Sequence, residues 1–322
     1  MIKCLMKERL LTVFLVIMLV LILLVLGGCQ GFGEQTKKFS GGLSGFGKKA
    51  DSEFSSRLIG VELKTIPTSK EIRSGESFGI TGLLKNNLEQ PIEGRACLSD
   101  KVSDNFGGIP SGYCEDFSMD AADETGPQQL EIFKNTLFVY EVPFDFSDVN
   151  IKSQIFYNAL TKGKIKNVCI KPSLLDNEEC ANEETFSGSA LDFSSGPLIV
   201  SKVKKELSKQ QNEMVMRLFI TLRSLSDVEI INPDFVNSAD LEEFIKDNTL
   251  GIKVNYAGLG EFVCDMDNKV KITKTSTDIE CVGKFSIGEI IESPISIVID
   301  YGVKETKDVG TFSLSSKNEG TI

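Results

Sequence analysis

The chain has 322 residues, of which 41% are hydrophobic and 25% charged, and its formal net charge is −11. It contains no histidine and no tryptophan. The missing histidine excludes Ser-His-Asp and Cys-His catalysis, histidine general bases and histidine-dependent metal sites, and an acidic surface repels polyphosphate, so nucleic acid is not an expected partner.

The first element is an anchor. Lys3, Lys7 and Arg9 stand against a single Glu8, and from Leu10 to Leu26 every residue except Thr12 is strongly apolar. A charged n-region followed by an h-region reads as a targeting segment. At 17 residues the run is slightly long for a cleaved signal and at the short limit for a membrane span, which needs about 20. Leu26-Gly27-Gly28-Cys29 resembles the lipobox of bacterial and archaeal lipoproteins. The resemblance implies cleavage ahead of Cys29 and a diacylglycerol-type lipid on its thiol; an uncleaved single span with an incidental Cys29 is the other reading. Both place the body at the cell membrane on its extracytoplasmic side. Loss of the first 28 residues removes three bases and one acid, moving the net charge from −11 to −13.

Residues 30–56 are rich in glycine and serine, repeat Gly-Phe-Gly at 31–33 and 45–47, and show no periodic apolar face. They read as a flexible tether with a mean reach of roughly 30 Å. The basic clusters, Lys37-Lys38, Lys48-Lys49 and the lysines of 202–205, are too short for a nucleic-acid stripe.

Beyond Arg57 the sequence becomes short apolar or alternating runs separated by turn-formers, the pattern of strands. The first block offers 58–66, 77–85, 92–98, 136–144, 153–160 and 165–170, with Asn86-Asn87, Glu89-Gln90-Pro91 and Lys162-Gly163-Lys164 as turns. The second offers 198–207, 214–222, 250–256, 261–266, 269–273, 279–285, 295–301 and 309–314. Residues 232–248 carry the best helix outside the anchor, read as an insertion over a sandwich end, with Asp240 and Glu243 as a capping-box-like start and Leu241, Phe244 and Ile245 along one edge. Gly196-Pro197 is the expected boundary between domains at 57–196 and 197–316, ahead of a tail at 317–322. The two blocks read as copies of one unit. Each opens on a similar strand, carries a C-x16-C and closes with a tyrosine-bearing strand, at Tyr157 and Tyr301.

Six cysteines lie in the body: Cys97, Cys114, Cys169, Cys180, Cys264 and Cys281; Cys4 and Cys29 belong to the leader. Six allow 15 pairings. Two C-x16-C spacings and one C-x10-C favour three local bridges, each worth about 3 kcal/mol if loop entropy dominates. Structural zinc would ask for C-x2-C knuckles, which the chain lacks.

Little else carries chemistry. Ser201-Lys202-Val203-Lys204 and Ser103-Asp104-Asn105 mimic a serine-lysine hydrolase, but in the wrong order and without K-T-G. Asp176, Glu178, Glu179, Glu183 and Glu184 crowd the segment 176–184; they read foremost as a solvated loop and only weakly as a cation site. Cys264 to Lys269 reads as an Asp-Asn hairpin turn rather than a calcium loop. No catalytic residue, metal or cofactor is expected, nor N-glycosylation, for want of a sequon.

The texture of residues 57–316 resembles tandem immunoglobulin-like or fibronectin type III-like β-sandwich domains of archaeal and bacterial surface proteins, without tryptophan and with local rather than inter-sheet cysteines. The expected fold is all-β: two such sandwiches behind an N-terminal hydrophobic helix. The resemblance implies a non-enzymatic binding, adhesion or envelope-scaffolding lipoprotein that meets a protein partner through loops at 99–131 and 172–190. An accessory subunit of a secretion, transport or appendage complex, or a ligand-binding protein, are the alternatives.

Overall fold

The computed structural model describes residues 60–102, 106–175, 180–224, 228–236, 248–272 and 276–316. The strands of the first half are β1 (Val61–Pro67), β2 (Glu71–Arg73), β3 (Ser77–Asn86), β4 (Ile92–Ser99), β5 (Cys114–Met119), β6 (Gln128–Ile132), β7 (Leu137–Val139), β8 (Phe146–Ile170), β9 (Glu183–Phe186) and β10 (Leu191–Phe193). Those of the second are β11 (Leu198–Gln210), β12 (Glu213–Ser224), β13 (Glu229–Ile231), β14 (Thr249–Tyr256), β15 (Gly260–Glu261), β16 (Val263–Cys264), β17 (Lys269–Lys271), β18 (Ser276–Phe285) and β19 (Ile291–Ser315). The protein is thus all-β, and among the described residues no helix is long and apolar enough to cross a membrane. The anchor, Cys29 and the tether lie outside the described residues.

Three sheets form. Four strands make the first, in the order β1-β3-β6 with β7 also on β3; five make another, β16-β18-β12-β11-β9. The ten-stranded sheet runs β15-β14-β19-β8-β4-β5, with β2, β10, β13 and β17 on its flanks. Strand alternation gives each sheet an inner face. In β3 these are Phe78, Ile80 and Leu84; in β12, Met214, Met216, Leu218 and Ile220; in β19, Ile295, Ile297, Ile299, Tyr301 and Val303. All belong to one contiguous apolar core, and residues 56–322 make one compact unit.

The ten-stranded sheet is organised by two 25-residue strands, β8 and β19, which pair antiparallel along almost their whole lengths. At about 3.3 Å per residue each extends roughly 80 Å. Strands from both sides of Gly196-Pro197 therefore share one sheet; the four-stranded sheet draws only on the first half, while the five-stranded one adds β9 of the first half to strands of the second. The pairings repeat between halves: β3 lies between β1 and β6 as β12 lies between β11 and β18, and β4 flanks β8 as β14 flanks β19. The centre of the repeat falls near the pair Asn158↔Gly302.

Two buried tyrosines sit symmetrically about that point. The Tyr301 hydroxyl accepts from Leu198 N (3.3 Å) at the start of β11 and meets Thr161 Oγ1 (3.1 Å), which itself donates to Leu198 O (2.7 Å). The Tyr157 hydroxyl accepts from Val61 N (3.4 Å) at the start of β1 and donates to Glu305 Oε1 (3.4 Å). Each half thus fastens its opening strand to the shared sheet by a phenol. Burial holds both hydroxyls above the ordinary tyrosine range, that of Tyr301 at about 12.

Several expectations change. Lys162-Gly163-Lys164 is not a turn: β8 runs through it, and Gly163 is required because β10 lies directly against it. A Cβ there would stand 2.4 Å from both Asp192 O and the Phe193 ring. Likewise the two strands expected at 295–301 and 309–314 are one, continued through the charged segment 304–308. Residues 265–268 form one helical turn rather than a hairpin. It carries the chain from β16, paired with β18, to β17, paired with β14, and Asn268 Oδ1 accepts from Cys264 N (2.8 Å). Of the expected helical insertion, 237–247 lie outside the described residues. The preceding part pairs β13 with β19, and Val236 packs with Phe156 and Ile231 against the outer face of the shared sheet.

Candidate functional site

The cysteines pair as Cys97–Cys114, Cys169–Cys180 and Cys264–Cys281. The first and third join residues directly opposed on antiparallel neighbours, with Cα atoms 4.0 and 3.9 Å apart. They are not equivalent within the repeat, however. Cys97–Cys114 ties β4 to β5 in the ten-stranded sheet, whereas Cys264–Cys281 ties β16 to β18 in the five-stranded one. The shared C-x16-C spacing reflects two separate staples of similar span.

The segment 99–131 is more ordered than a single long connection, since it holds β5 and part of β6. Its first part is pinned by Asp100, whose carboxylate accepts from Val102 N (3.0 Å), Ile109 N (3.4 Å) and the buried Tyr140 hydroxyl. Burial and the Asp100 charge together push the Tyr140 hydroxyl well above its usual range. Gly108, at φ +89°, lies under the Tyr140 ring, where a Cβ would be 1.9 Å from Cε1. Further on, Glu115 accepts from the Tyr113 hydroxyl (2.8 Å) and from Phe133 N (2.8 Å). The end of the segment forms one wall of an open cleft of about 550 Å³, lined by Glu89, Asp123, Glu124, Asn87 and Ser195 among others, with no base among the described lining residues. Asp123 accepts from Thr125 N (2.8 Å) and Thr125 Oγ1 (2.6 Å), which hold its carboxyl below the usual range.

Of the acidic candidates, Asp176, Glu178 and Glu179 lie outside the described residues. Glu183 and Glu184 are on β9, and neighbouring lysines engage both: Glu183 lies 3.4 Å from Lys204 Nζ and Glu184 2.9 Å from Lys205 Nζ. The Lys205 side chain is fully buried and also donates to Cys169 O (3.2 Å), so this member of the 202–205 basic cluster is a core cation held by Glu184 and Cys169. Among the described residues no group of three or more Cys, Asp or Glu side chains is placed to hold a metal ion. Ahead of the acids, Lys171 donates to Leu175 O (2.8 Å) and Asn182 to Leu174 O (3.1 Å), holding the backbone beneath the exposed Leu174 and Leu175.

The serine and lysine of the S-x-x-K sequence are each engaged by other groups. Ser201 Oγ donates to Thr221 O (3.2 Å), and Lys204 Nζ is held by Glu206 (2.5 Å) and Glu183; Ser103, Asp104 and Asn105 lie outside the described residues. What the sequence did not announce is a mixed face on the five-stranded sheet. Lys202, Thr221 and Asp278 form one row across β11, β12 and β18, and Lys204, Phe219 and Glu280 the next. A shallow depression of about 320 Å³ lies over them, lined by Lys202, Lys204, Glu206, Phe219, Thr221 and Asp278. Compared with known proteins, the chain matches no family and no curated protein.

Proposed function

We propose that this protein is a membrane-anchored extracytoplasmic lipoprotein, attached through Cys29, whose tandem immunoglobulin-like halves at 57–196 and 197–316 serve a non-enzymatic role in binding, adhesion or envelope scaffolding. The observation that carries the reading is the cysteine accounting. All six body cysteines lie in bridges between sequence neighbours, as suits an oxidising compartment, and Cys29 is the one thiol behind the h-region that they leave for the lipid. The segments 99–131 and 172–190 support a recognition role, because their described parts are fixed by hydrogen bonds while presenting carboxylates and two leucines to solvent. Preorganised loops lose less entropy on binding.

Expression of the full chain and of Cys29→Ala tests the anchor. The parent should carry a lipid mass on an N-terminal Cys29 and partition into detergent, and the variant should do neither. Identical intact masses for the two would overturn it. Proximity crosslinking on intact cells then identifies the neighbour.

A further inference from the structure

We infer that the outer face of the five-stranded sheet is a binding platform for a neutral polysaccharide, centred on Phe219. The register brings together residues more than fifty positions apart in sequence. Phe219 lies on the central strand β12, with Lys204 of β11 on one side and Glu280 of β18 on the other. Two pairs along, on the same face, the short Thr221 between Lys202 and Asp278 leaves the dip.

The lining fits hydroxyl-rich rings better than other ligands. A phenyl face attracts the positively polarised C–H bonds of a pyranose. Around it stand donors and acceptors of both signs. Thr221 Oγ1 donates to Asp278 Oδ1 (2.6 Å), which fixes that carboxylate and leaves its second oxygen for a hydroxyl. Glu206 and Glu183 hold Lys204. Lys202 pairs with no carboxylate among the described residues. Each sugar hydroxyl is both donor and acceptor, so a mixed set satisfies it. Lys202 and Lys204 are matched one for one by Glu206 and Asp278, so the lining offers a phosphate-bearing or carboxylated polymer no net positive charge, on a chain of net charge −11. A peptide strand would need a sheet edge, yet Phe219 is central, and a lipid tail would need an apolar rim. The volume of about 320 Å³ is at the small end for ligand sites, roughly 300 to 1,000 Å³, as suits one or two rings of a polymer passing over an open face.

The test is affinity electrophoresis of the detergent-solubilised full chain through native gels containing dextran, mannan or laminarin, with alginate as the carboxylated polymer. Retardation is expected in at least one neutral polymer. Phe219→Ala should weaken it at least tenfold, and Phe219→Tyr should retain it. Because Phe219 is half-buried, the exposed Asp278→Ala provides a second variant that leaves the core intact and should also weaken retardation. Unchanged mobility in all three neutral polymers would overturn the inference. So would retardation confined to alginate, or retardation untouched by Phe219→Ala and Asp278→Ala. None of these outcomes depends on Cys29, so the platform and the anchor stand or fall separately.

Discussion

Lys205 and Glu184 provide an asymmetric experiment. The lysine side chain is fully buried, whereas that of Glu184 is 39% exposed, so the two ends of one 2.9 Å ion pair face different media. Removing the carboxylate with Glu184→Ala leaves an ammonium in the core with only the uncharged Cys169 beside it, its carbonyl oxygen at 3.2 Å and its Sγ at 3.6 Å. Stranding one member of a buried pair costs about 3 to 5 kcal/mol, and the partial exposure of Glu184 puts this case near about 3 kcal/mol. Removing the cation with Lys205→Met leaves a carboxylate that water can reach and one carbonyl without its donor, while adding apolar packing. That loss should be about 1 kcal/mol. With a urea dependence of about 3 kcal/mol per molar, the midpoints should fall by about 1 M and about a third of that. The double variant should resemble Lys205→Met alone, since the stranded charge is gone. Equal losses for the two single variants, or a Glu184→Ala loss below about 0.5 kcal/mol, would refute the argument that the buried end sets the cost.

Two further outcomes follow from the shared sheet. Gly163→Ala should lose about 1 to 3 kcal/mol from overpacking against Asp192 O and Phe193; Gly288→Ala, which meets nothing within 4 Å, should stay within about 0.5 kcal/mol on the same urea titration. Stability should hold to about pH 10 and fall between 10 and 12. The unfolded tyrosines ionise near pH 10 while Tyr301 and Tyr256 are held to about 12, so the folded state keeps its protons after the unfolded chain has lost them. Tyr301→Phe should flatten that decline and lower stability at pH 7 by about 1 to 3 kcal/mol, because Leu198 N loses its acceptor; an unchanged alkaline slope would count against the assignment.

Strand positions were largely legible in the sequence because alternation reports burial: 77–85 against Ser77–Asn86, and 92–98 against Ile92–Ser99, differ by a residue. Continuity was not legible. Glycine between lysines ordinarily marks a turn, and only the approach of Phe193 explains Gly163 inside a strand. The charged run 304–308 looked like a break, yet Glu305 points inward to Tyr157 and the chain stays extended. The cysteine pairs could be read because their partners are sequence neighbours. Their equivalence between halves could not, since it depends on which sheet each strand joins. The Phe219 face left no local trace: its residues come from three strands, and only the register assembles them.

The long ladder between β8 and β19 also limits how such a molecule can be rearranged. Modules joined end to end by linkers can be excised, reordered or multiplied one at a time. Here twenty-one residue pairs cross between the halves in that ladder alone, so a cut at the sequence midpoint exposes two unpaired strand edges and leaves neither fragment a finished border. The two halves of this chain thus form a girder rather than a string of beads, and any lengthening of it has to begin outside the girder.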